Sequence, residues 1–218
     1  MRKQEKKSTG EIGKQRKKII LLAGETAFAQ NGFKGTSIKM VAELANLPKT
    51  NLLYYFKSKL ELYNAVMQEI LHTWDSSFDQ ATIDDDPSSV LANYITEKME
   101  MSRTNPNASK IFALEILNGA HNFDLSFKKH HKAWFEGRIS VIEAWIASGK
   151  MHNVCAEYLL YHIWASTQHY ADFSAQITNL RGSKMKKNDY AAATNHLISI
   201  ILGGCGLSVP EHCKTNPG

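Results

Sequence analysis

No stretch of this 218-residue chain approaches the roughly 18 or more consecutive apolar residues that a membrane-crossing helix needs. Its first residues are charged instead of apolar, so no secretory signal is expected. Cysteine is scarce. Cys155, Cys205 and Cys213 are an odd number at no metal-ligand spacing, which speaks for reduced thiols in a cytoplasm. Those thiols are either inert and buried or, as an alternative, redox-sensing. His121, His130, His131 and His152 also lack the tight spacing of a metal site. There is no Gly-rich phosphate loop, Gly-x-Ser-x-Gly elbow or His-Glu-x-x-His pair. Cys155 near His152 has no third group to orient it, so an enzyme has little to stand on. Alternating Val/Ile-rich segments and internal repeats are missing as well. An all-α chain is what remains.

Charge is present but unevenly placed. Residues 1–20 hold eight Lys or Arg against Glu5 and Glu11, a net of +6, whereas the whole chain is +5. Everything after residue 20 therefore sums to −1, too balanced to bind nucleic acid over its whole surface. Residues 1–13, with Gly10, Gly13 and little to bury, are expected as a disordered basic arm. Such an arm either touches phosphates and the minor groove or is simply a solvated tail.

Apolar residues at helical spacing organise the rest. A first helix is expected from Lys14 to Gln30, with Ile20, Ala23, Ala27 and Phe28 inward and Asn31-Gly32 ending it. Thr36 or Ser37 can cap a second, short helix whose Ile38, Val41, Ala42 and Ala45 form one face. Asn46-Leu47-Pro48 breaks it, and Pro48 suits the start of a third helix, Lys49 to Phe56. There Leu52, Leu53 and Phe56 should point inward, leaving Lys49, Thr50, Asn51, Tyr54 and Tyr55 to meet bases and phosphates. An ordinary helical hairpin with a wet face fits the same spacing.

Ser58 then caps a long fourth helix running through Trp74 and Phe78, long enough to span two domains and transmit a shift between them. The acidic loop 84–89 opens a helix ending at Arg103. Further helices are expected at 107–118, 125–148, 157–180 and 189–202, with Gly203-Gly204-Cys205-Gly206 as the final stop. The expected organisation is a DNA-reading domain at 14–60, a helical bundle at 61–205 and a flexible tail at 206–218.

The run from Phe28 to Val66 resembles the DNA-binding domain of the tetracycline-repressor (TetR) family. The likeness is carried by Phe28, Gly32-Phe33, Gly35-Thr36, Ile38, Val41-Ala42, Leu52, Tyr55-Phe56 and Ser58-Lys59. Pro48 departs from the small or hydroxylated capping residue of many members. The resemblance implies a homodimeric regulator, a repressor by expectation, that binds a palindromic double-stranded DNA operator. Lys49, Thr50 and Asn51 would face base edges, and Thr36, Tyr54, Tyr55 and Lys59 would hold phosphates. It also implies a C-terminal bundle with a pocket for a small effector and a dimer made by the last two helices.

Within the bundle, Trp164 to Phe173 is unusually polar for a helix interior, and Trp164, Gln168 and Asp172 share one face. A carboxamide can pair with a lactam-like edge and an indole can stack on it. This segment, with Lys49–Phe56, Ser102-Arg103, Ala108-Ser109 and Glu115, is similar to the pyrimidine-utilisation repressors of the family. That likeness implies uracil or thymine as effector, with no cofactor. Gln168 and Trp74 are the leading pocket residues, followed by Asp172, Trp164 and Phe112. The same polar helix would also serve as a subunit interface, and Trp74 would also serve as core. A regulator answering an unrelated hydrophobic ligand stays open.

Overall fold

Ten helices and one 3₁₀ turn make up the described residues, and no strand occurs among them. The computed structural model describes the backbone of residues 2–213 and the side chains of residues 11–211 and 213. In chain order the helices are α1 (Arg2–Gly35), α2 (Ile38–Leu44), α3 (Lys49–Tyr55), α4 (Lys59–Asp79) and α5 (Pro87–Thr104). They continue with α6 (Pro106–Leu117), α7 (Leu125–Ala147), α8 (Ala156–Asp172), α9 (Ser174–Arg181) and α10 (Lys187–Gly204). The chain divides into two units, residues 1–71 with 110–127 and residues 72–109 with 128–218. The division falls inside α4, α6 and α7, so residues 61–71 and 110–127 group with the N-terminal helices.

In the first unit, Ile20, Ala27, Phe28, Val41, Leu52, Leu62, Tyr63 and Met67 are all buried. Gly24 sets how closely α1 meets α4. A Cβ there would lie 3.1 Å from Val66 Cγ2 and 3.6 Å from Leu62 Cδ1. Glycine in a helix interior costs about 1 kcal/mol against alanine, and here it allows the close approach. Gly32, with φ of +66, kinks the end of α1.

In the second unit, α5 packs against both α8 and α10. Asp86 caps α5 by accepting from Ser89 N at 3.0 Å, with Pro87 in its first turn. Leu91, Tyr94, Ile95 and Met99 carry its buried face, which joins Phe78, Trp145, Leu160, Ile163, Ile198 and Leu202 in one core. The 80–86 loop is tied down by side chains of α7 and the turn after it. The Arg138 guanidinium donates to the carbonyls of Phe78 (2.6 Å) and Ala81 (3.0 Å), Trp145 Nε1 donates to Thr82 O (3.0 Å) and Lys150 Nζ to Ile83 O (2.7 Å).

Four boundaries differ from expectation. α1 already includes Glu11, Ile12 and Gly13, where a disordered arm is expected. The lysines, glutamates and glutamines around Gly10 and Gly13 are good helix formers, and two glycines do not outweigh them. Residues 1–10 of that arm lie outside the residues whose side chains are described. The expected helix 157–180 is two, broken at Phe173 (φ −107, ψ 24). α10 continues through Gly203 and Gly204 and stops only where Gly206 takes φ of +69. Beyond it, Leu207 and Val209 pack on the core and Glu211–Cys213 forms a 3₁₀ turn. The expected loose tail is thus anchored as far as Cys213, and residues 214–218 lie outside the described residues.

Phe78 is fully buried between Tyr94 (centroids 5.1 Å) and Trp145 (6.2 Å). Phe78→Ala should lower stability by about 3–5 kcal/mol through lost burial and the cavity left behind. Urea unfolding followed by circular dichroism measures it, and a loss below about 1 kcal/mol would mean that the core closes over the gap.

Candidate nucleic-acid interface and candidate ligand site

The turn between α2 and α3 is built from local chemistry. Ser37, extended, accepts from Met40 N at 3.2 Å and caps α2. At the other end Leu47 N donates to Ala42 O (2.9 Å) and Asn46 N to Glu43 O (3.1 Å), with Asn46 at φ +51. This is a Schellman closure in which asparagine takes the left-handed position usually held by glycine. Pro48, at φ −58, is the N-cap of α3 and offers no side-chain cap. Its carbonyl accepts from Asn51 N (2.9 Å) and Leu52 N (3.3 Å).

α3 is held from behind by Leu52 and Phe56, which are 0 % and 3 % exposed. Lys49 and Thr50 are exposed, Asn51 and Tyr55 half-buried, and Tyr54 is 83 % exposed. The Tyr54 and Tyr55 rings stand nearly perpendicular at 5.3 Å. Lys17 Nζ lies 5.8 Å over the Phe56 ring, which places a basic side chain of α1 beside the same element. Leu53 corrects the expectation of an inward face: it is 37 % exposed and shares the wet side.

Two expected phosphate contacts are engaged inside the fold. Thr36 is 2 % exposed, and its hydroxyl is 2.7 Å from Gly32 O and 3.1 Å from Ala27 O, the end of α1. Lys59 Nζ donates to Phe33 O (2.8 Å) and Thr36 O (2.9 Å) and sits 4.4 Å over the Phe33 ring. Both therefore fasten the turn between α1 and α2.

Three of the expected ligand residues of the second unit, Trp74, Asp172 and Trp164, lie around a buried cation. Lys98 is 4 % exposed, with Nζ 4.3 Å over the Trp74 ring and 6.0 Å over that of Tyr94. Burial pulls the Lys98 ammonium below the usual lysine range, while the charges of Asp75 and Asp172 oppose that. Burial likewise pushes the Asp75 carboxyl up, against the attraction of Lys98 and with the help of Asp79. Asp172 accepts from the Ser109 hydroxyl at 2.5 Å. Trp164 Nε1 donates to Tyr94 Oη at 2.8 Å, and its ring stacks with Trp134 and with His131, both at 6.3 Å. Burial, then the Lys98 charge, lowers the His131 pKa. Gln168 is half-buried on α8, between Trp164 and Asp172. Trp74, at 6 % exposure, is both core and wall of this cluster. Phe112 belongs to the first unit, where its ring lies 6.0 Å from Phe123.

Lys98, Asp75, Tyr94 and Ser109 are absent from the expected site. The signal for Lys98 exists: Leu91, Tyr94, Ile95, Lys98, Met99 and Ser102 repeat at three- and four-residue steps, so a lysine falls on a buried face. Lysine is almost never fully buried unless paired, which makes such a position worth reading. Of the free thiols Cys155 is exposed, Cys205 buried and Cys213 half-buried. Burial pushes the thiols of Cys205 and Cys213 up, against thiolate formation.

The profile described as bacterial regulatory proteins of the tetR family matches residues 20–66, and that of the YcdC-like protein C-terminal region matches residues 67–208. The HTH-type transcriptional regulator RutR of Escherichia coli (strain K12) is 39 % identical over 187 residues, covering 86 % of this chain and 88 % of its own length. Among solved structures, a transcriptional regulator from Rhodococcus sp. Rha1 superposes with a TM-score of 0.62 at 15 % identity, covering 89 % of this chain and 99 % of its own. AibR, solved in complex with isovaleryl coenzyme A and operator DNA, gives 0.60 at 14 % identity, covering 85 % and 97 %. The two structures speak for the fold alone.

The raised Asp75 pKa fixes the sign of a pH effect. A carboxyl that is easier to protonate when folded contributes its full stability below the usual carboxylate range and loses it as pH rises through the raised value. The melting temperature of the native protein relative to Asp75→Asn should therefore be higher near about pH 4 than near about pH 8. Thermal melts across that window check it; a constant difference would show Asp75 titrating normally.

Proposed function

This chain belongs to the TetR family of bacterial regulatory proteins, and on that premise we propose a homodimeric repressor released from its operator by a small planar ligand. The observation that carries the reading is α3 itself. Leu52, and Phe56 at its C-cap, are buried, while Lys49, Thr50 and Tyr54 are exposed and Asn51 is half-buried on the same short helix. Two copies would set α3 into successive major grooves, about 34–36 Å apart. Lys49, Thr50 and Asn51 would meet base edges, and Tyr54 and Tyr55 the phosphates. The work would be done in the cytoplasm, with no membrane partner; among the described residues no helix is long and apolar enough to cross one.

For the dimer, α8 and α10 offer an apolar groove of about 610 Å³ lined by Tyr158, Leu159, Leu197, Ile200 and Ile201. Tyr158 and Ile200 are 60 % and 57 % exposed, which a second copy would cover. The ligand half of the proposal rests on the Lys98 cluster. A cation and two carboxylates beside the Trp74 ring, with the half-buried Gln168 four residues after Trp164 on α8, suit a flat, neutral molecule with both donors and acceptors, such as uracil or thymine. An anion would face Asp75 and Asp172, and a cation would face Lys98. The resemblance of the Trp164–Phe173 segment to pyrimidine-utilisation repressors favours the same class of effector. To release DNA, the ligand need only favour the unbound state by about 1–3 kcal/mol of coupling.

A gel shift of the full chain against DNA upstream of its own gene, with and without uracil, tests the whole proposal. Failure to retard any upstream fragment would end it. Asn51→Ala should cost about 1–3 kcal/mol of discrimination at one position per half-site, read by competition with single-base operator variants. Unchanged preferences would remove Asn51 from the base-reading set. Gln168→Leu should abolish the thermal shift produced by uracil while the melt of the free protein stays in place; a retained shift would move the pocket elsewhere.

A further inference from the structure

The first unit holds a cavity of its own, about 400 Å³, within the range of small-molecule pockets. It is shaped by the turn after α6. Gly119 and Ala120 both take positive φ, +88 and +55. Ala120 is a non-glycine in a conformation such residues seldom adopt, and strain of that kind gathers where side chains have to be aimed. Two are aimed here. The His121 ring folds over Gly119, where a Cβ would come within 2.8 Å of Nε2. Asn122 turns back onto Glu115, donating from its backbone N (2.8 Å) and from Nδ2 (2.9 Å).

Glu115 is the deepest polar group of the cavity, 4 % exposed. Its third donor is the Tyr63 hydroxyl at 2.9 Å, whose own pKa is raised by burial and then by this carboxylate. Among the described residues all these donors are neutral, so the carboxylate is buried without a cation. Among the described residues Oε1 accepts from Asn122 N alone, which leaves one of its two lone pairs for a further donor. Above the carboxylate the Phe33 and Tyr63 rings, 5.0 Å apart, form an apolar wall. Exposed Lys34 and His121 line the outer edge. From floor to rim the cavity therefore runs from the Glu115 carboxylate, past aromatic rings, to the Lys34 ammonium and the His121 imidazole.

A ligand complementary to that order has its positive end inside and its negative end outside. We propose that this cavity binds a small amino acid, its ammonium on Glu115 and against the Tyr63 ring, its carboxylate between Lys34 and His121. The buried carboxylate gains the counter-charge it lacks, in a setting where an unpaired charge is costly. A plain amine gains nothing at the rim and is repelled there. A plain acid meets Glu115.

Isothermal titration calorimetry on the full chain with glycine, β-alanine and γ-aminobutyrate tests this, with propylamine and propionate as single-charge controls. At least one amino acid should bind, and both controls should be weaker by about tenfold or more, as expected for losing a charge-assisted contact. Glu115→Gln should abolish binding. Because it also disturbs Tyr63 and Asn122, two surface changes keep the test sharp: Lys34→Ala should weaken the amino acid but not propylamine, and Leu114→Trp, at the partly exposed edge, should block entry. Silence from every amino acid, propylamine binding as well as they do, or binding that survives Leu114→Trp would overturn the proposal. None of these readouts depends on operator binding, so they stand or fall apart from the regulatory reading.

Discussion

A helix of seven residues does not hold together in water by itself, because nucleation costs more than so few hydrogen bonds return. α3 exists because Leu52 and Phe56 are buried behind it, Pro48 sets its entry and the Asn46 turn closes α2 in front of it. That dependence explains why the polar chemistry of α3 can be so free. Lys49, Thr50 and Tyr54 are exposed, so the helix is held by its apolar side and leaves polar side chains on the other. The first unit supplies the rigidity that the short helix lacks, through Gly24 against α4 and through Thr36 and Lys59 at the α1–α2 turn.

The second unit meets a different constraint, the cost of a charge out of water. Lys98 is tolerated because the Trp74 and Tyr94 faces and the charges of Asp75 and Asp172 surround it. Such an arrangement is poorly matched by apolar packing and well matched by a ligand able to share its hydrogen bonds. Burial of Lys98 and Asp75 shifts both toward their neutral forms, in opposite directions on the pH scale.

Much of this was legible in the residues. The apolar spacing of α2 to α4, the capping Ser37, the Gly32 kink and the acidic start of α5 are local signals, and local signals survive folding. The internal bonds of Thr36 and Lys59 are not legible in the sequence, because a hydroxyl or an ammonium reads the same whether it meets a phosphate or a backbone carbonyl, which for Lys59 lies 23 residues away. The break at Phe173 was hidden because no proline or glycine marks it; it follows directly on Asp172, which is bonded across to Ser109. Lys98 was readable, being a lysine in register with Tyr94 and Ser102 on a buried face, but its meaning depends on Asp75 and Asp172, which only the fold brings near. Glu115 is similar: its partners Tyr63 and Asn122 lie 52 and 7 positions away.

The two carbonyls gripped by Lys59 bear on how any scan of this face would be interpreted. Truncating Lys59 removes a positive side chain, and a weakened complex would invite the conclusion that a phosphate contact had gone. If the ammonium keeps only its clasp on Phe33 and Thr36 in the complex, it neutralises no phosphate and the number of ions released from the duplex on binding would not change. A salt titration separates the two cases, since a severed phosphate contact lowers the slope by about one ion and a loosened turn lowers only the intercept.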